Sequence, residues 1–140
     1  MDSVKSKAIV HYASNDFFVG VAPSGHSVTL DTSDNRSAAP TPVELLLIAL
    51  GSCTAVDVIG ILKKKREDVT DYRVEVWGER REEHPRSYRK MGVHHIVRGR
   101  NISEKSVKQA IELSETKYCS VAATLRPTAE IVSSFEIIEA

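Results

Sequence analysis

The sequence carries no net charge: 19 Lys and Arg are balanced by 19 Asp and Glu. A chain so balanced lacks the electrostatic footprint of a nucleic-acid or anionic-membrane binder. An apolar leader is also missing. Met1 to Lys7 is polar and charged with no hydrophobic stretch behind it, so a cytoplasmic location is expected. Cysteine is scarce, with two in 140 residues, and no CxxC occurs. That leaves a thioredoxin-type motif and a compact thiolate metal site without support. The histidines do not fill the gap. His94 and His95 are neighbours in a strand-like run and so point to opposite faces, while His11, His26 and His84 are scattered. A composite site of Cys53, Cys119 and one histidine stays open, but no metal is expected. No repeat or low-complexity segment is found. A chain of 140 residues is long enough for a real core without staples, and residues 1–140 are expected to form one domain.

What is there reads as β-β-β-α-β-β-α-β. Three short strands are expected over residues 7–13, 17–22 and 26–31, separated by the turn signals Ser14-Asn15-Asp16 and Pro23-Ser24-Gly25. A polar loop follows. Residues 42–62 then form a long helix, started by Thr41 or Pro42 and followed by the basic run Lys63-Lys64-Lys65-Arg66. It is apolar on nearly every face, as in a helix at the centre of a protein or across a membrane. About 20 residues would span a bilayer. Asp57 would then sit in hydrocarbon, and strand-like segments flank the helix on both sides, so a soluble core helix is expected. A domain of this size rarely wraps such a helix completely by itself, so either its own sheet covers it on both sides or a second copy of the chain supplies the cover. Gly51 and Ala55, four apart, would let two copies of the helix approach across a homodimer axis.

Two strands follow. Tyr72, Val74 and Val76 alternate with Arg73, Glu75 and Trp77, and Val93, His95 and Val97 alternate with His94, Ile96 and Arg98. Ser103 is a good N-cap for a second helix reaching about Tyr118, with Val107, Ala110, Ile111 and Ser114 as its core stripe. Cys119 falls at that helix's end. A last strand places Ile131, Phe135 and Ile137 on one face. Strand groups on either side of helices indicate an α+β fold.

The two cysteines are the residues with chemistry to offer. Cys53 lies in Gly51-Ser52-Cys53-Thr54-Ala55 and Cys119 in Lys117-Tyr118-Cys119-Ser120-Val121. Small flanking residues leave room for a ligand, yet free cysteines are also common as inert core side chains. Asp57 is one helical turn after Cys53 on the same face. It could hold an activating base or Arg126, or bond to a polar residue across a dimer.

The run from Thr41 to Thr54, TPVELLLIALGSCT, resembles the Pro-x-Glu-Leu-Leu…Ala…Cys stretch of the OsmC/Ohr family, and Tyr118-Cys119-Ser120-Val121 resembles that family's downstream cysteine motif. The order of elements is similar over essentially the whole chain. The resemblance implies an intertwined homodimer with two central apolar helices backed by antiparallel sheets, and two active sites at the subunit interface. It implies a thiol-dependent peroxidase in which Cys53 attacks an organic hydroperoxide and Cys119 resolves the sulfenic acid to a disulfide. A dithiol reductant such as a lipoyl group would restore the pair. No bound cofactor is implied.

The family's peroxidases activate the cysteine with an Arg from the N-terminal sheet, held by a carboxylate at the start of the central helix. Here those strands hold no Arg; the first is Arg36, in the loop. Val43 follows the helix proline, and Glu44 comes next. Arg36 and Glu44 could form an alternative pair; equally, Arg36 could be a loop residue and Glu44 a partner for backbone amides. A small-molecule-binding or redox-sensing protein on the same scaffold is the alternative reading, and a purely structural dimer with inert cysteines is a third.

Overall fold

The structure is a computed structural model describing residues 5–140, so the first four residues of the polar N-terminal run lie outside it. The chain divides into two compact units, one ending at Leu46 and the other running from Leu47 to Ala140. The sequence alone reads as a single domain, because no linker composition marks that boundary, which falls inside a helix.

The first unit is a three-stranded antiparallel meander of β1 (Ile9–Ser14), β2 (Phe17–Val21) and β3 (Ser27–Asp31), in the order β1-β2-β3. Both turns fall where the sequence places them. Asn15 and Asp16 take φ of 48° and 67°, which matches the twist of a tight hairpin. Gly25, at φ 91°, closes the second turn in a conformation that side chains resist.

Helix α1 (Pro42–Lys64) begins in this unit. Its start is a capping box: Thr41 Oγ1 accepts the Glu44 amide at 3.2 Å, and Glu44 Oε1 accepts the Thr41 amide at 2.9 Å. Its end is a Schellman closure around Arg66 at φ 58°. The Glu67 amide returns to the Leu62 carbonyl and the Arg66 amide to Lys63, both at 3.0 Å.

In the second unit α1 buries Leu50, Gly51, Thr54, Val58 and Leu62. These recur four apart and form one stripe. Ile48 and Val56, outside the stripe, are 56% and 69% exposed. The helix is long and apolar enough to cross a membrane, yet this stripe is the side it gives to the sheet and to α2. The sheet runs β4-β5-β6, with β4 (Asp68–Arg80), β5 (Tyr88–Arg100) and β6 (Glu130–Glu139). β4 and β5 are antiparallel, but β6 lies parallel to β5, so this sheet is mixed rather than antiparallel as expected. The chain between them crosses over through helices, the connection a parallel pair requires.

Ser103 caps α2 (Glu104–Leu113) by accepting the Ser106 amide at 3.2 Å. The stripe Val107, Ala110, Ile111 and Ser114 is buried as its spacing predicts. Val58 and Leu62 of α1 join Val97, Val107, Ala110 and Ile111 in the core. Each fully buried aliphatic side chain contributes on the order of 1.5–3 kcal/mol. The α-helix does not reach Tyr118. Ser114–Tyr118 is a π-helical turn, and a further short helix, α3 (Ser120–Leu125), follows Cys119. Six residues are too few to show a helical period, so α3 leaves no trace in the sequence pattern.

Gly51 does not present a small face to another helix. A Cβ there would stand 2.6 Å from Val76 Cγ2 and 3.3 Å from Val74 Cγ2, both on β4 of the same chain. Its smallness lets α1 lie close on its own sheet. Valine is stiff at χ1, so Val76 yields poorly. Gly51→Ala is expected to lower stability by about 1–3 kcal/mol. A drop in the thermal midpoint would register this, whereas an unchanged midpoint would mean that α1 rides off β4 at no cost.

Candidate active site

Cys53 is set by α1 and Cys119 by the junction between the π turn and α3. Both are free; Cys53 is half-buried and Cys119 is buried. Cys53 lies near enough to Cys119 to disfavour ionisation of its thiol. Cys119 is also the N-cap of α3, where its Sγ accepts the Ala122 amide at 3.4 Å. Burial pushes the Cys119 thiol up from its ordinary range, the Ala122 amide works against this, and the nearby Cys53 and Asp57 add to the rise. Beside Cys119 lies a cleft of about 10 Å³, lined in part by Leu50, Thr54 and Ala122. That is room for roughly one water. Cys53 is only partly buried, and Val56, one turn on, is largely open to solvent in the single chain.

Among the described residues Asp57 bonds to neither a base nor Arg126. Its Oδ2 accepts the Ser114 hydroxyl at 2.8 Å, and Ser114 Oγ lies 2.8 Å from Thr54 Oγ1. Since Ser114 gives its only proton to Asp57, Thr54 is the donor in the second bond. Asp57 thus binds a polar residue, but one of its own chain. Arg126 donates instead to the Glu115 carbonyl at 3.1 Å.

In the sequence Ser114 is legible only as part of the core stripe of α2. Its signal was present: a serine in an otherwise apolar stripe is a buried hydroxyl that needs a partner. Tyr72 and His95 are legible in the sequence only as strand residues, and their contact is not. The Tyr72 hydroxyl lies 2.8 Å from His95 Nδ1, and His95 Nε2, fully buried, has no partner among the described residues. Burial, and secondarily the charge of His94, lowers the His95 pKa from 6.5 to about 4. Burial, with Asp57 second, keeps the Tyr72 phenol protonated well above its ordinary range.

Arg36 and Glu44 go to other partners. Arg36 Nε and Nη2 each donate to the Asp31 carboxylate at 2.9 Å, and the guanidinium lies 4.1 Å from the Phe17 ring centre. Asp31 also accepts the Ser33 and Ala38 amides, so it gathers the loop after β3 around itself. The Arg36 bond, with those amides, holds the Asp31 carboxyl down at about 2 against the effect of burial. Glu44 serves the capping box at Thr41. Among the described residues no three His, Cys, Asp or Glu side chains are grouped to hold a metal ion.

The family model for OsmC-like proteins matches residues 33–134. Protein YhfA of Escherichia coli (strain K12) is 42% identical over 123 residues, which cover 88% of this chain and 91% of YhfA. A crystal structure of a protein from Aquifex aeolicus VF5 is 33% identical with a TM-score of 0.86, and covers 99% of both chains. The fold alone extends to an organic hydroperoxide resistance protein OsmC from Legionella pneumophila, at 11% identity and a TM-score of 0.67, over 97% of this chain and 99% of that one. The α+β architecture, the matched span and the identity to YhfA agree: the chain belongs to the OsmC-like family.

Proposed function

We propose that this protein is a thiol-dependent peroxidase for organic hydroperoxides, with Cys53 as the attacking thiolate and Cys119 as the resolving thiol. The observation that carries this is the pair itself: a half-buried thiol close enough to a buried one to disfavour its ionisation. The Cys53 thiolate attacks the outer peroxide oxygen, the O–O bond breaks, and an alcohol leaves with a proton. Cys53 becomes a sulfenic acid. Cys119 then attacks that sulfur, water departs, and the disulfide forms; a dithiol reductant of the lipoyl class returns both thiols. Val56, an apolar residue one helical turn from Cys53, favours an alkyl hydroperoxide over hydrogen peroxide, while Ile48, also exposed, lies on another side of α1. The same exposed residues of α1 would be covered by a second copy of the chain, which makes the working form a homodimer.

The test is a thiol count before and after one equivalent of cumene hydroperoxide. Two thiols per chain should disappear and return with dihydrolipoamide. Light scattering on the same sample should give twice the 15.5 kDa chain mass. If the thiols outlast many minutes of exposure, the peroxidase reading is lost. A redox-sensing role would then be the better account. It is favoured by the commitment of Arg36 to Asp31 and by the rise that burial imposes on Cys119.

A further inference from the structure

We propose that Ser114 and Asp57 are positioning residues for closure of the Cys53–Cys119 disulfide, with Ser114 fixing where Cys119 stands and Asp57 fixing Ser114. This rests on the cysteine pairing above but not on the peroxide chemistry. Ser114 touches both halves of the site. Its side chain binds Asp57 and Thr54, which stand four residues and one residue after Cys53 on α1. Its carbonyl accepts the Cys119 amide at 2.8 Å. Ser114 therefore links the backbone of one cysteine to that of the other by hydrogen bonds.

The π turn makes this geometry available. In a regular α-helix, residues five apart point about 140° away from each other. Ser114 and Cys119 are five apart, and the wider π turn closes the i to i+5 bond between them. Both can then face α1. Such turns are frequent at functional sites. Ser114 is fully buried, so its bond to a carboxylate is sheltered from water.

Asp57 adds a charge to this position. It is among the groups that disfavour ionisation of Cys119, after burial and Cys53. The other titratable groups around the pair are Cys53 itself on α1, Glu115 in the π turn, Arg126 after α3, and Tyr72 with its partner His95 on β4 and β5. Asn in place of Asp57 can still accept the Ser114 proton but carries no charge. It therefore separates position from electrostatics. With the charge gone, Cys119 should ionise at lower pH, and the gain in thiolate outweighs its loss of nucleophilicity.

The experiment uses dithiobis-nitrobenzoate, an aromatic disulfide, with stopped-flow detection of the released thiolate. Cys53, the accessible thiol, takes one aryl thiol and releases the other. Cys119 then attacks the Cys53 sulfur of that mixed disulfide and releases the second. The second phase is first order and reads Cys119 alone. Ser114→Ala should slow it by about tenfold or more while leaving the first phase unchanged. Asp57→Asn should instead shift its pH profile to lower pH and raise its rate at neutral pH. A merely structural role would slow both variants. The proposal is overturned by a wild-type second phase in Ser114→Ala, by an unshifted profile in Asp57→Asn, or by the lack of any second phase in the parent protein. Should Ser114→Ala fail to fold, the Asp57→Asn profile decides. A protein that closes the disulfide here but ignores cumene hydroperoxide would lose the peroxidase reading and keep this one.

Discussion

Cys53→Ser is expected to reduce organic hydroperoxide at least ~1000-fold more slowly than the parent protein, since a nucleophile removed outright leaves only its surroundings. Cys119→Ser should behave differently. Its Cys53 would complete one attack, consume one equivalent of cumene hydroperoxide and stop as a sulfenic acid. That acid should be captured by dimedone and, under excess peroxide, pass on to the sulfinic acid. Mass spectrometry of the two variants after peroxide checks this. A dimedone adduct on Cys119 in the Cys53→Ser protein would exchange the two roles. Burial argues against that exchange, because Cys119 is only 4% exposed and its thiol is held up from its ordinary range.

The second large effect is on stability in mild acid. His95 is fully buried, is hydrogen-bonded to the Tyr72 hydroxyl, and has its pKa lowered to about 4 from 6.5. The unfolded chain binds this proton more readily than the folded one. Neutral His95 therefore contributes stability that is complete above pH 6.5 and is lost as pH falls toward 4. The loss amounts to about 3 kcal/mol at 1.36 kcal/mol for each unit of displacement. Asp31 acts in a lower window. Its carboxyl, held at about 2 by Arg36, stabilises above 3.8 and gives way only as pH falls toward 2. Urea midpoints between pH 7 and 4 would trace the His95 window. His95→Gln, which keeps a partner for the Tyr72 hydroxyl but cannot titrate there, should flatten the curve. If the variant and the parent fall in parallel, the acid sensitivity belongs to other groups.

These effects depend on residues that the sequence advertises unevenly. The capping box is legible as Thr41-x-x-Glu44, and the hairpin turns as Asn15-Asp16 and Gly25, because each depends only on neighbours in the chain. The buried face of α2 is legible because a period of 3.6 residues survives any tertiary context. Gly51 is the instructive failure. Its spacing from Ala55 was compatible with a partner helix or with a sheet, and only the position of Val76 decides for the sheet. Likewise nothing local makes β6 run parallel to β5; the crossover through α2 and α3 sets its direction. Arg36 and Glu44 are close in sequence to the right place for an activating pair, yet each finds a nearer partner, Asp31 and Thr41. Short-range bonds of this kind cost little ordering entropy, so they win over longer ones.

By itself the sequence determined most of the elements, the faces they bury and the family motifs around the two cysteines. Those are properties of composition, period and local spacing, which fix what each segment can do before it meets another. The tertiary structure alone decided who meets whom. It brought Ser114 to Asp57 across 57 positions of chain, set Cys119 beside Cys53, and sealed His95 away from water. The physical reason is that a buried hydroxyl, thiol or imidazole takes its properties from the atoms packed around it, and packing is decided only when the whole core closes.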